Sequence, residues 1–210
     1  NKLISLNAEA LAQLPSRQRA TLINNLCGLR SANLIATRGA ATTNLTIFNS
    51  VIHLGSDPAL IGIVFRPLTV ERHTYDNIKE FKSFTVNAVS ESIVAKAHQT
   101  SAKYPETVSE FEAVGLTPVY REETHLPFVA ESPIQLLCSY SQEHVLENGC
   151  VLLTARIESV YMQQSALDTD MFIDHGRAHT MAIGGLDAYY RVTLEGRYAY
   201  AKADEPPKLL

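Results

Sequence analysis

The first 30 residues space their apolar positions as helices do. Asn7 is placed to cap a short helix through Leu14, and Pro15-Ser16 opens a second helix running to about Leu26. That second helix gathers Leu22, Ile23 and Leu26 on one face, with Arg17, Gln18 and Asn25 mostly elsewhere. From Asn33 the texture becomes that of strands. Apolar runs at Asn33 to Thr37, Asn44 to His53, Ala59 to Phe65 and Phe84 to Val89 are separated by short polar connections, which predicts antiparallel pairing. Two later segments alternate with period two. Ile134, Leu136, Cys138 and Tyr140 form one apolar series; Val151, Leu153, Ala155 and Ile157 form the other. Asn148-Gly149 supplies a tight turn before the second. Helical patches are expected at Asp76 to Phe81 and Glu91 to Ala102. The stretch Tyr104 to Pro127, with three prolines, reads as a surface excursion, and the tail 203–210 as loosely held. The pattern predicts one mainly β domain over 1–210, a closed antiparallel β-barrel with peripheral helices and a helical extension at 1–30.

Composition narrows the function classes. The net charge is −4 with no long run of one sign, so a basic nucleic-acid footprint is absent. No segment approaches the roughly 18 apolar residues of a membrane helix. Cys27, Cys138 and Cys150 form no C-x-x-C pair, which predicts reduced thiols rather than a disulfide framework or a zinc site. No basic stretch followed by an apolar run opens the chain, so a cytoplasmic location is expected and Asn44-Leu45-Thr46 is read as an accidental glycosylation match. His175 and His179 have the i, i+4 spacing of helical metal ligands, but Asp174 and Gly176 favour a loop there, and no metal is expected. No Rossmann, Walker, nucleophile-elbow or zincin motif occurs. Gly184-Gly185 reads as a turn.

Four segments carry candidate chemistry. In the first, Asn49 and Ser50 interrupt an apolar strand, leaving room and backbone donors for a flat polar ring; the plain alternative is a strand with small polar residues ended by the turn at Asp57-Pro58. In the second, Phe65 ends a strand and delivers Arg66, and His73-Thr74 precedes a helix. A guanidinium, a hydroxyl and free helix amides together hold a phosphate; a capped helix with solvated charges is the alternative. In the third, Asn87 sits inside an apolar strand and must find a hydrogen bond in the core or on a ligand. In the fourth, His98 and Ser101 near a helix end are secondary anion contacts or ordinary surface groups.

The order and spacing of Asn33-Leu34-Ile35-Ala36-Thr37, Asn44 through Arg66-Pro67, His73 through Ile78 and Phe84-Thr85-Val86-Asn87 resemble the flavin reductase-like, FMN-binding split-barrel family, especially its flavoredoxin-like branch. The resemblance covers about Asn33 to Tyr190. It implies a six-stranded Greek-key split barrel that dimerises and holds FMN non-covalently near the subunit interface. Carried onto this chain, Asn49, Ser50 and Val51 lie along the isoalloxazine edge. Arg66, His73 and Thr74 form the phosphate end with Phe65 a further cofactor contact beside it, and Asn77 opens the helix behind it. Asn87 is a packing or ribityl-side group, and His98 and Ser101 are outer contacts. Tyr189-Tyr190 lies on a C-terminal strand that reaches the partner's flavin. Many relatives have two serines where this chain has Asn49-Ser50, an aromatic at Val51, and a serine-rich stretch in place of Leu68 to Arg72. The implied activity is an NADH- or NADPH-dependent flavin reductase with no catalytic side chain. The alternative is an electron carrier reduced by a separate redox partner protein. A PNP oxidase-like role would need a further basic phosphate cluster, which the sequence lacks.

Overall fold

The computed structural model describes residues 2–210. The chain opens with α1 (Ala8–Gln13) and α2 (Ser16–Leu26). Asn7 caps α1, its side chain accepting from the Ala10 amide at 2.8 Å. The strands β1 (Arg30–Ser31), β2 (Asn33–Arg38), β3 (Thr43–Phe48), β4 (Val51–Ser56) and β5 (Ala59–Phe65) follow, then α3 (His73–Phe81) and β6 (Ser83–Ala88). A 3-10 turn at Glu91–Ile93 leads into α4 (Val94–Gln99), then come α5 (Glu110–Val114) and the hairpin β7 (Pro118–Arg121) and β8 (Thr124–Val129). The long strands β9 (Ile134–Val145) and β10 (Val151–Met162) precede the short pair β11 (Met181–Gly184) and β12 (Ala188–Arg191).

The main sheet has seven strands in the order β3-β2-β6-β9-β10-β5-β4, all antiparallel. Its two outermost strands, β3 and β4, are consecutive in the chain and joined only by Asn49 and Ser50. Laid flat, strands about 4.8 Å apart would hold these edges roughly 29 Å from each other. Three Cα steps of about 3.8 Å reach only about 11 Å. The sheet therefore curls into a barrel, and β3 and β4 meet at its split. Register shifts in β10 at Thr154/Ala155 and Ile157/Ser159 bend the β9–β10 hairpin along that curve. Gly149, at φ +78°, makes the turn between them.

The run Asn44 to His53 is thus two strands rather than one, which is why seven strands stand where the resemblance implied six. Asn49 and Ser50 are the break. The stretch 104–127 is also more ordered than a surface excursion: it contains α5, β7 and most of β8, with Glu110, Phe111 and Leu126 buried. The helical patch from Glu91 ends at Gln99, short of Ala102.

Two apolar cores flank the barrel wall. Ile35, Ile63, Phe65, Phe84, Cys138 and Leu153 fill the barrel, and Ile78 of α3 plugs it. Leu34, Ala36, Leu45, Val89, Phe111 and Ile183 form the second core, outside the wall. Because β2 is buried on both sides, it reads as a continuous apolar run, whereas β10 alternates along its outer half. Neither α1 nor α2 buries a residue; the apolar stripe of α2 leaves Ile23 and Leu26 exposed.

Candidate functional site

Three segments converge at the split through one aromatic residue each. Phe65 ends β5, Phe48 ends β3 and Tyr75 stands in the first turn of α3. The Phe65 ring packs edge-to-face on both others, with centroids 5.3 Å apart in each pair. The residues following or flanking these rings are the candidate binding groups: Asn49, Ser50 and Val51 after Phe48, Arg66 after Phe65, and His73 and Thr74 before Tyr75. Packing of the aromatic chain places them around one end of the barrel.

The two split residues are tied in different directions. Ser50 Oγ donates to the Val64 carbonyl at 2.8 Å, and the Val64 amide donates to the Ser50 carbonyl at 3.3 Å. Asn49 Nδ2 donates to the Gly185 carbonyl in the turn between β11 and β12. Gly185 has φ +59°, and a Cβ there would lie 2.5 Å from Asn25 Nδ2, so only glycine suits this anchor. Gly184 closes β11 and only Gly185 enters the turn, while Tyr189-Tyr190 does lie on a strand, β12.

Helix α3 begins at His73, one residue ahead of Thr74, and Asn77 is buried in its second turn rather than at its opening. The N-cap residue Arg72 makes no side-chain cap bond, and although the Asp76 carboxylate accepts from the Arg72 amide at 3.3 Å, the amides of His73, Thr74 and Tyr75 donate to no partner among the described residues. Nine residues of aligned peptide dipoles make this end attractive to an anion. Arg66 is exposed, and His73 lies 3.7 Å from the Glu71 carboxylate. The Thr74 hydroxyl is spent inward, donating to Asn44 Oδ1 at 2.6 Å. Only its amide is left for a ligand.

That inward bond belongs to a buried polar network. Asn77 Nδ2 donates to Thr37 Oγ1 at 2.9 Å, Asn44 Nδ2 to Glu110 Oε1 at 2.9 Å, and the Leu45 amide to Glu110 Oε2 at 2.9 Å. Asn44, His73, Asn77 and Glu110 border a cavity of about 10 Å³, room for a single water. Glu110 is 4% exposed. Burial pushes its carboxyl above the ordinary value, although the Leu45 and Asn44 hydrogen bonds pull the other way. A raised folded-state value means the native state binds the proton more tightly. Stability contributed by this group is therefore greatest at acid pH and falls as pH rises from the ordinary carboxylate range through the raised value. Thermal midpoints of the wild type and Glu110→Gln across pH 4 to 8 should show the wild type losing ground to the variant as pH rises; parallel curves would reject the raised value.

Asn87, His98 and Ser101 lie away from the convergence. Asn87 is fully buried, donating to the Leu34 carbonyl at 3.3 Å and Thr85 Oγ1 at 2.9 Å while Oδ1 accepts from the Val129 amide at 3.0 Å. Its hydrogen-bonding groups are engaged within the fold, which matches a packing role. His98 Nδ1 is 3.0 Å from Tyr189 Oη, with the rings edge-to-face. Tyr189 and Ile47 both pack on the core outside the barrel wall, the opposite side of β3 from Thr46 and Thr74. Ser101 is exposed beyond the end of α4. His175 and His179 fall in a turn, with His179 at φ +51°. Asn44, Thr37 and Glu110 were not singled out from the sequence. Asn44 and Thr37 lay in strand segments without a role of their own at the site, and Glu110 carried no local signal at all.

These features agree with what known proteins share with the chain. The flavin reductase like domain family matches residues 30–182. A candidate flavin reductase with a split barrel domain from Shewanella frigidimarina NCIMB 400 is 42% identical, covering 94% of this chain and 100% of its own, with a TM-score of 0.90. Nitrilotriacetate monooxygenase component B from Bacillus cereus shares the fold at 21% identity over 94% and 99% of the two chains, with a TM-score of 0.82. Flavoredoxin of Desulfovibrio vulgaris (Miyazaki F) shares it at 24% identity over 84% and 91%, with a TM-score of 0.68. With its split antiparallel barrel and a match over most of its length, the chain belongs to the flavin reductase like domain family.

Proposed function

We propose that this protein binds FMN non-covalently at the split and uses it to accept electrons from NADH or NADPH. The observation that carries the reading is the aromatic chain Phe48–Phe65–Tyr75, which draws the interrupted strand and an uncapped helix N-terminus to one end of the barrel. The residues fit the cofactor. The amides of His73, Thr74 and Tyr75, with Arg66, would hold the phosphate, and the backbone of Asn49 to Val51 would border the ring. FMN would supply the hydride-accepting ring, so the protein's part is to position it and tune its surroundings. Ser50 and Asn49 fix the split backbone through Val64 and Gly185, which keeps that border in one place without a side chain that must shuttle a proton. The Asn87 network holds β2, β6 and β8 together behind it.

The same reading includes a homodimer. Ile52 and Leu54 of the edge strand β4 are exposed and lie against the outer face at Gly62 beside Leu152. Together with the bare stripe of α2 they form apolar surface that a second copy would cover.

An absorbance spectrum of the protein loaded with FMN, repeated anaerobically with NADPH and then NADH, tests the function. Flavin bands that bleach identify the donor. Bands that persist point instead to an electron carrier served by a separate reductase, and no uptake of FMN overturns the reading. Light scattering of the same sample should give twice the 23.2 kDa chain mass.

One substitution tests the phosphate end alone. His73 is the first residue of α3, where proline is well tolerated, and Arg72 before it is already extended at φ −137° and ψ 90°. His73→Pro removes one amide donor with the helix kept. FMN affinity is expected to fall about tenfold, or about 1.4 kcal/mol, with an unchanged thermal midpoint. Unchanged affinity would remove this helix end from the site.

A further inference from the structure

Behind the phosphate end lies a buried ionisable group with no part in touching the flavin. Glu110 is the first residue of α5, a helix that packs on β3. Its carboxylate accepts at both oxygens, from Asn44 Nδ2 at Oε1 and from the Leu45 amide at Oε2, each at 2.9 Å. An ionised carboxylate can only accept, so it dictates how Asn44 is turned. With Nδ2 committed to Glu110, Asn44 presents Oδ1 to α3. There it accepts from the Thr74 hydroxyl at 2.6 Å, with the Thr37 hydroxyl at 3.5 Å. Two hydrogen bonds thus join the buried carboxylate to the first turn of α3. The cavity of about 10 Å³ that both Glu110 and His73 border is a second link.

We propose that Glu110 is a positioning residue for the flavin phosphate: it sets the direction of the chain Glu110–Asn44–Thr74 and couples the hold on the phosphate to uptake of a proton. The inference rests on the flavin reading and adds a residue to that site. While Glu110 is ionised, a negative charge lies behind an anion site and the Thr74 proton is drawn inward. A proton on Glu110 reverses both. The Leu45 amide engages Oε2, so the acid proton sits on Oε1 and is donated to Asn44. Asn44 then offers Oδ1 to Glu110 and Nδ2 to Thr74, whose oxygen now accepts. The Thr74 proton is released, with Thr46 Oγ1 at 3.3 Å as its internal competitor. Loss of the charge and release of a donor both favour an anion at the α3 amides. By linkage, a bound phosphate draws a proton onto Glu110. Burial already raises this carboxyl, which brings the step toward neutral pH. The charged groups around it are identifiable. His73 of α3 and Glu106 border the same cavity, and Glu71 lies 3.7 Å from His73. The strand β3 carries no titratable side chain, and Glu112 of α5 is exposed. On α4, Lys96 donates to the Gly115 carbonyl and His98 meets Tyr189.

Calorimetric titration with FMN in buffers of different ionisation enthalpy counts the protons exchanged on binding. Riboflavin, which lacks the phosphate, is the control. The second ionisation of a phosphate monoester, at about pH 6, is common to all variants and cancels in their difference. Between pH 6 and 8 the wild type is expected to take up more proton with FMN than Glu110→Gln, with no such difference for riboflavin. Glu110→Gln keeps an acceptor for the Leu45 amide, and its own amide imposes the reversed direction on Asn44. It should bind FMN about tenfold more tightly than the wild type at pH 8, the two converging as pH falls and Glu110 takes its proton. His73→Gln, which keeps the α3 amide, should preserve the difference. Equal proton counts with FMN bound, or a difference that disappears in the His73→Gln background, overturn the proposal and leave the flavin reading standing. Binding of neither FMN nor riboflavin overturns the flavin reading and this proposal with it.

Discussion

Replacing Phe65 with alanine is expected to remove about 3–5 kcal/mol of stability and to abolish flavin uptake with it. Phe65 is buried between Phe48 and Tyr75 and belongs to the barrel core, so truncation opens a cavity where three segments converge. For a chain of this size the thermal midpoint should drop by roughly 6–20 °C. Calorimetry measures the first effect. Phe65→Leu separates the two: it keeps most of the volume, costing about 1.5 kcal/mol or less, yet removes both edge-to-face contacts. If the aromatic chain positions the site, Phe65→Leu remains folded and binds FMN more weakly. Wild-type FMN affinity in Phe65→Leu would show that Phe65 acts through core volume alone.

Asn87→Leu is the second large effect, and it carries the opposite expectation for the ligand. The substitution leaves the buried Val129 amide without its acceptor, while the Thr85 hydroxyl keeps its bond to the Pro127 carbonyl, at a cost of roughly 1–3 kcal/mol. Chemical denaturation should show a lower midpoint with an unchanged slope. At a temperature where the variant is folded, FMN affinity should equal that of the wild type, because Asn87 spends its hydrogen bonds on β2, β6 and β8. A selective loss of flavin at full stability would return Asn87 to the binding site.

The barrel was legible where a strand's surroundings were uniform along its length. Alternation marked β9 and β10, and burial on both faces turned β2 into an unbroken apolar run. The break at Asn49-Ser50 was visible as polarity but not as a strand end. Nothing local distinguishes a polar pair inside a strand from a pair that carries the chain from one sheet edge to the other. The α3 end was partly legible: Arg66, His73 and Thr74 lie in the converging segments, yet the inward turn of the Thr74 hydroxyl depends on Asn44, 30 residues earlier. Glu110 was beyond reach for the same reason at greater distance. Its burial and both its hydrogen bonds come from Asn44 and Leu45, and no pattern within 104–127 foretells that encounter. The stripe on α2 was read correctly as a helix face, but a stripe names no partner, and nothing among the described residues buries it.

A sheet with two edges offers two templates on which other chains can stack, and exposed edges invite aggregation. Here both are guarded. The two-residue link keeps β3 and β4 beside one another at the split, so neither presents a long, flat, isolated margin. The Glu110 carboxylate occupies the Leu45 amide on β3, and the register shift between His53 and Gly55 twists β4 out of line. The split thus keeps the barrel from closing without leaving it sticky, because both strand margins stay unavailable for runaway pairing.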